Sequence, residues 1–170
     1  MKLSISNQIL SYFCVHLEHF LLFMKITFLG TGTSQGIPMI ASNHPVCLSK
    51  NPKDKRLRSS IMISWDKVTY IVDCGPDFRA QMLRENVQAI NGLLFTHEHS
   101  DHTAGFDDVR PYSYQMGEVP IYLDSRTLRS LEQRFEYIFR KENRYPGAPK
   151  VAVNLIDTTS FSLDGVVVTP

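Results

Sequence analysis

Residues 96–102 read Thr-His-Glu-His-Ser-Asp-His, which places three histidines and two acids within seven positions. The apolar run Leu93-Leu94-Phe95 precedes them and reads as a buried strand; Thr103-Ala104-Gly105 follows and opens a stretch with helical character. The cluster therefore sits where a strand leaves a sheet, a rigid support for a functional loop. His97 and His99 are two residues apart, so in extended backbone their imidazoles point the same way. Asp101 and His102 come where the chain must turn, and so face a second point nearby. Imidazole and carboxylate suit zinc and similar divalent ions. The pattern His-x-His-x-Asp-His thus suits two metals, with His97 and His99 on one and Asp101 and His102 on the other. Such a pair can activate water and hold the oxygens of an in-line displacement, with Asp101 in the catalytic position. The plain alternative is a polar surface loop rich in histidine.

At these residues the chain resembles the metallo-β-lactamase-fold hydrolases, whose metal motif the loop matches. Two further stretches carry the likeness. Residues 25–38, KITFLGTGTSQGIP, resemble the opening strand and glycine loop of the phosphodiesterase branch, and residues 70–75, YIVDCG, resemble its strand ending in Asp and Gly. Within the superfamily the likeness is nearest to the phosphoribosyl cyclic phosphodiesterases of phosphonate breakdown. The tRNA 3′-processing endoribonucleases stand a step further away. The resemblance implies an α/β fold, two divalent ions (zinc first, manganese or iron as alternatives) and a small phosphodiester substrate.

Composition bounds the rest. The chain has 170 residues and a net charge of +1, the profile of one ordinary domain with no global pull toward nucleic acid or anionic membrane. Three cysteines, Cys14, Cys47 and Cys74, are odd in number and far apart, which argues against a disulfide framework and for a cytoplasmic setting. No apolar run approaches the roughly 18 residues of a transmembrane helix. No nucleic-acid-binding arm is legible.

In chain order, residues 1–23 carry Ile5, Ile9, Phe13, Leu17, Phe20 and Leu21 at helical spacing, an amphipathic pattern interrupted too often by polar residues for a signal peptide. The family likeness starts at Met24. The expected division is an N-terminal extension over 1–23 and the hydrolase region over 24–170. Lys25 to Leu29 reads as the first strand. Gly30, Gly32 and Gly36 miss the dinucleotide fingerprint, leaving either a tight strand connection or backbone amides that line an anion site. Relatives often hold a structural zinc on cysteines in the next connection; here only His44 and Cys47 have ligand-like spacing, too few to close a tetrahedral site. Lys50, Lys53, Lys55, Arg56 and Arg58 make that connection basic, either as a solvated face or as a rim attracting phosphate.

Ile61–Trp65 and Val68–Val72 read as a hairpin turning at Asp66-Lys67. Asp73, at a strand end, is expected to orient a ligating imidazole from behind. Gly75-Pro76-Asp77 reads as a helix start with Pro at its first position, and Phe78, Met82 and Leu83 are expected to face the core. Ile90–Phe95 is the strand that delivers the histidine loop. Asp107 and Asp108 suit a first helical turn, and Arg110 is either part of it or a contact for a substrate phosphate. A strand at Ile121–Leu123, a helix from Ser125 with Leu128, Leu131, Phe135 and Ile138 on one face, and strands at Val151–Ile156 and Val166–Val168 complete the pattern.

The expected architecture is the first half of a metallo-β-lactamase αββα sandwich, truncated at the C-terminus. In the family the second half supplies further histidines and an acid, whereas this chain has no histidine after His102. Two divalent ions carry about +4 and Asp101 with neutral imidazoles about −1, so further ligands are needed. The expectation is a metal-dependent phosphodiesterase, incomplete and inactive as this chain alone. The alternatives are an endoribonuclease of the tRNA-processing kind and a non-catalytic metal-binding fragment.

Overall fold

A computed structural model of the chain describes residues 23–140 and 142–170. Its centre is a six-stranded sheet in sequential order: β1 (Lys25–Gly30), β2 (Ser60–Trp65), β3 (Val68–Val72), β4 (Gly92–Leu94), β5 (Val119–Leu123) and β6 (Val151–Leu155). β1, β2 and β3 pair antiparallel, and β3 through β6 pair parallel. The switch follows from the connections. Asp66-Lys67 closes the β2–β3 hairpin, with Asp66 in left-handed backbone (φ 49°) and Trp65 opposite Val68. The later links are long enough to carry helices and so return the chain parallel.

Those helices lie on one face of the sheet. A short turn α1 (Pro45–Leu48) precedes the hairpin. α2 (Phe78–Arg84), α3 (Ser100–Thr103), α4 (Arg110–Met116), α5 (Ser125–Arg134) and α6 (Glu136–Phe139) follow it, with 3-10 turns at Pro52–Asp54 and Phe106–Val109. Phe78, Met82, Phe106, Tyr112, Leu131 and Ile138 pack from the helical side onto Leu29, Ile71, Leu93, Ile121 and Leu123 of the strands. The opposite face is crossed by a hairpin, β7 (Phe161–Leu163) and β8 (Val166–Val168), which covers Trp65, Tyr70 and Tyr122. Trp65 stacks on Tyr70 at 5.6 Å and Tyr122 on Phe161 at 5.8 Å. The Tyr70 hydroxyl donates to Asp164 in the hairpin turn at 2.8 Å.

The expected strands and helices are present, with corrections at their edges. α2 begins at Phe78, two residues after Pro76, and Asp77 makes no capping bond from its side chain. Its carboxylate instead accepts from the Arg58 amide (2.8 Å) and guanidinium (3.1 Å). Phe78, Gln81 and Met82 face inward, with the Gln81 amide nitrogen donating to the Arg58 carbonyl at 3.0 Å, whereas Leu83, expected in the core, is 63% exposed. β4 is trimmed to three residues, although Ile90 and Phe95 beyond its ends are buried. The helix from Ser125 breaks at Phe135 (φ −123°, ψ 39°) before α6 resumes the same buried face through Ile138. β7 was not expected at all. The helical pattern of residues 1–23 lies outside the described residues apart from Phe23. Among the described residues no helix is long and apolar enough to cross a membrane.

Candidate metal centre

β3 and β4 run side by side and end together, with Val72 opposite Leu94. Each then releases one half of the site. From β3 come Asp73, Cys74 and Gly75; from β4 come Phe95, Thr96 and the histidine loop. The Asp73 amide donates to the Leu94 carbonyl at 2.8 Å, after which Asp73 adopts left-handed backbone (φ 63°) and aims its carboxylate across the gap. That carboxylate is fully engaged. Oδ1 accepts from the Thr96 amide at 2.8 Å, and Oδ2 accepts from the Thr96 hydroxyl at 2.8 Å and meets His102 Nδ1 at 2.7 Å. Asp73 is 4% exposed, so this anion is buried and compensated only by these partners.

The histidine loop doubles back through α3, whose first bond runs from the His102 amide to the His99 carbonyl at 3.0 Å. The turn gathers the imidazoles into one cluster. The ring centroids of His97 and His99 are 4.7 Å apart, and those of His97 and His102 4.1 Å. His97 Nδ1 lies 3.0 Å from the Thr96 hydroxyl, and His102 Nε2 lies 3.2 Å from Asp101 Oδ2. The four side chains expected as ligands are thus neighbours, and His102 leans toward His97 as well as toward Asp101. Asp73 stands behind His102, where sequence reasoning put a carboxylate that orients an imidazole.

Two glycines explain how the halves fit. A side chain on Gly75 would run into the Asp101 carbonyl oxygen, and one on Gly105 into the Gly75 carbonyl and Phe78. The Cys74 amide donates to the His102 carbonyl at 2.9 Å and the Gly105 amide to the Cys74 carbonyl at 2.8 Å. Burial pushes the intervening Cys74 thiol well up, reinforced by Asp73, so it serves as packing rather than as a nucleophile. Residues that sequence reasoning passed over also hold the loop. Arg126 donates to Glu98 Oε1, and Arg134 donates to the Glu98 carbonyl and the Thr103 hydroxyl. The signal was weak, since both arginines lie on the polar face of α5, far along the chain.

The other candidates are placed as follows. Gly32 and Ile37 amides donate to the carbonyls of Leu57 and Arg56, and a side chain on Gly30 or Gly32 would clash with backbone at 56–58, so the glycine loop serves as a tight strand connection. His44 accepts from the Val46 amide as the cap of α1, in which Cys47 is buried. Arg58 turns inward to Asp77, while Lys50, Lys53, Lys55 and Arg56 are exposed. Arg110 donates to Asp107, whose other oxygen accepts from Tyr137 at 2.8 Å. A cavity of about 810 Å³ opens at the carboxyl ends of β3 to β6, lined by Val72, Leu94, Thr96, Asp124, Asp157 and Phe161 among others. Ligands of open parallel sheets bind at this end.

The chemistry of the donors fits a divalent cation: three imidazoles and a carboxylate, one imidazole held at Nδ1 so that Nε2 is the nitrogen left to bind. Their donor atoms are not drawn into a cage. Among the described residues no three His, Cys, Asp or Glu side chains converge tightly enough to hold an ion as they stand. Holding one would require the 3.2 Å contact between His102 Nε2 and Asp101 to open.

Comparison with known proteins identifies the family and the fold. The family model described as the beta-lactamase superfamily domain matches residues 69–170. A Porphyromonas gingivalis protein named octanoyltransferase is 41% identical over 127 residues, 74% of this chain and 25% of that protein. A ribonuclease Z of Methanococcus maripaludis is 31% identical over 114 residues, 64% of this chain and 32% of that protein. The crystal structure of a diphosphatase of the PhnP family superposes with a TM-score of 0.77 at 36% identity, over 86% of this chain and 56% of that one. The chain therefore spans about a quarter to a third of those two relatives and just over half of the solved structure. With the family match running from β3 through the histidine loop to the last strand, the chain belongs to the beta-lactamase superfamily and carries the fold of its metallo-hydrolases.

Proposed function

We propose that this chain carries the histidine loop of a metal-dependent phosphodiesterase that acts on a small phosphodiester, cyclic ones included. His97, His99, Asp101 and His102 are assigned as ligands, Asp73 as the carboxylate behind them, and zinc as the first choice of metal, with manganese or iron as alternatives. The observation that carries the reading is the 2.7 Å bond between His102 Nδ1 and buried Asp73, in a cluster with two further imidazoles. A surface loop rich in histidine has no reason to bury a carboxylate behind one ring.

The residues would divide the work. Asp73 keeps a proton on His102 Nδ1 and so presents the Nε2 lone pair. Thr96, fixed on Asp73 through both amide and hydroxyl, holds the ring of His97 near that of His102. Asp101, whose carboxylate lies 3.2 Å from His102 Nε2 on the side away from Asp73, is assigned to orient the attacking water. Divalent ions bound here would supply Lewis acidity toward phosphoryl oxygens and lower the pKa of water. The cavity beside Thr96 gives a substrate room at the strand ends. Arg110 enters as a candidate for the substrate phosphate, and would have to exchange Asp107 for it.

The PhnP-family diphosphatase supports a small phosphate substrate for this chain. The ribonuclease Z relative favours a second reading, a tRNA 3′-processing endoribonuclease. The two separate in an assay with zinc or manganese on a chromogenic phosphodiester, a cyclic ribose phosphate and a tRNA precursor. The chain is tested alone and continued through the segment its relatives carry beyond this match. The expected result is turnover of the small diesters by the extended protein, lost in Asp101→Ala. Cleavage of the tRNA precursor alone would favour the ribonuclease reading. Metal uptake with no turnover of any substrate would leave a metal-binding module and overturn the enzymatic assignment.

A further inference from the structure

We propose that Arg134, acting with Thr103, is a positioning residue for the histidine loop, so that α5 sets the geometry at which the loop takes up metal. This deepens the reading above and rests on it. Arg134 Nη1 donates to the Glu98 carbonyl at 2.8 Å and to the Thr103 hydroxyl at 2.9 Å, and Nη2 reaches the Ser100 hydroxyl at 3.3 Å. Thr103 passes the connection on. Its side chain is fully buried, and its hydroxyl donates to the His99 carbonyl at 2.8 Å. One guanidinium therefore fixes, directly or through one hydroxyl, the carbonyls of both Glu98 and His99. The first lies between the two imidazoles assigned as ligands, and the second belongs to one of them.

The loop has few other restraints on this side. β4 ends at Leu94 and α3 begins at Ser100, so residues 97–99 lie between the two elements, with the His99 carbonyl taking the His102 amide at 3.0 Å. Asp73 anchors the two ends, at Thr96 and His102, and leaves the middle free. Arg134 and Arg126 supply the missing restraint from one helix. Arg126 takes the Glu98 carboxylate. Arg134 takes the main chain, where its planar fork can serve two acceptors at once. The helix is itself fixed beside the site, since its cap Asp124 accepts from the Thr127 amide at 2.6 Å at the end of β5. Groups of this kind that orient ligands are typically worth about 10- to 100-fold in metal affinity.

The test is cobalt(II) titration of the 170-residue protein, read by its visible ligand-field bands, with melting of the metal-free protein measured alongside. The variants are Arg134→Gln, Arg134→Lys, Thr103→Val, Thr103→Ser and the ligand control His99→Ala. Arg134→Gln and Thr103→Val are expected to weaken cobalt binding about tenfold or more and to alter the bands. Arg134→Lys is expected to recover part of the loss, and Thr103→Ser nearly all, with metal-free melting close to wild type in both. Wild-type binding by Arg134→Gln and Thr103→Val, while His99→Ala loses cobalt, would overturn the positioning role and leave the metal assignment standing. Weakening that follows lowered metal-free melting in every variant, the Ser and Lys forms included, would overturn it as simple destabilisation. No cobalt uptake by wild type, or uptake unaffected by His99→Ala, would overturn the metal assignment and the positioning role with it.

Discussion

His102 Nδ1 lies 2.7 Å from Asp73 Oδ2, across the gap between the ends of two parallel strands. The bond does two things. It fixes which nitrogen of His102 faces outward, and it ties the histidine loop to β3. Replacing Asp73 by Asn separates them. Asn tolerates the left-handed backbone at this position and keeps one acceptor for Thr96, but loses the charge that holds the imidazole. The expected result for Asp73→Asn is a 10- to 100-fold weaker zinc affinity, roughly, with stability lowered by about 1–3 kcal/mol. Competition with a chromogenic zinc chelator and urea melts measure the two effects. Unchanged affinity would remove Asp73 from the metal site.

Gly75 makes the same junction possible by having no side chain. A methyl group there would meet the Asp101 carbonyl oxygen at a separation no packing adjustment short of moving backbone can relieve. Gly75→Ala is expected to destabilise the protein by about 1–3 kcal/mol or more, and to weaken metal binding because Asp101 and His102 must shift. Ala at Gly117, where the space is open, tests the opposite case: its cost comes only from positive φ (89°), with metal binding intact. Equal metal affinity in the two variants would contradict this account.

What could be read ahead from the chain was whatever rested on short-range pattern. The hairpin at Asp66-Lys67, the buried run before the loop and the His-x-His-x-Asp-His spacing all depend on neighbours a few residues apart. The failures lie where a distant partner decides. Leu83 was expected in the core with Phe78 and Met82, and Pro76 at the first helical position. Asp77 is instead held by Arg58, 19 residues away in sequence, and the helix starts later. Gln81 then takes the buried position, with its amide nitrogen on the Arg58 carbonyl at 3.0 Å. β7 was missed because three residues give no usable alternation, although Asp164-Gly165, with φ of 43° and 86°, was a hairpin signal. Arg134 and Thr103 were invisible as a pair because the bond between them spans 31 positions.

Asp107 sits between Arg110 and Tyr137 and shifts both its own titration and that of the phenol. Burial works to raise Asp107, but the hydrogen bonds from Arg110 and Tyr137 outweigh it and hold the carboxyl below its usual range. Burial and then the bond to Asp107 push Tyr137 up to about 12. The signs differ. Asp107, with its folded value depressed, contributes stability above the ordinary carboxylate range that is lost as pH falls through the folded value. Tyr137, with its folded value raised, contributes stability that is complete below its ordinary value near 10 and is lost as pH rises toward about 12. The difference in phenolate absorbance between wild type and Tyr137→Phe is expected to show one step near 12. In Asp107→Asn the step should move down without reaching the ordinary value, since burial remains. A step already at the ordinary value in wild type would mean that Tyr137 and Asp107 are not bonded in solution.

The sheet face opposite the helices is apolar beyond the reach of the β7–β8 hairpin. Phe28 pairs with Ile61 and Ile26 with Ile63, while Ile61 also faces Val72, so their side chains form one surface across β1, β2 and β3. Phe28 is 68% and Ile26 55% exposed on it. A single exposed apolar residue is ordinary, whereas a continuous row of them drives association. Ile40, 97% exposed and outside the sheet, provides the comparison. Phe28→Lys is therefore expected to lower the binding of a hydrophobic dye such as ANS and to raise the solubility of the 170-residue protein several-fold, while Ile40→Lys changes either much less. Dye titration and light scattering on the three proteins measure this. If Phe28→Lys and wild type bind the dye equally, the face is covered in solution and is not the surface through which the chain associates.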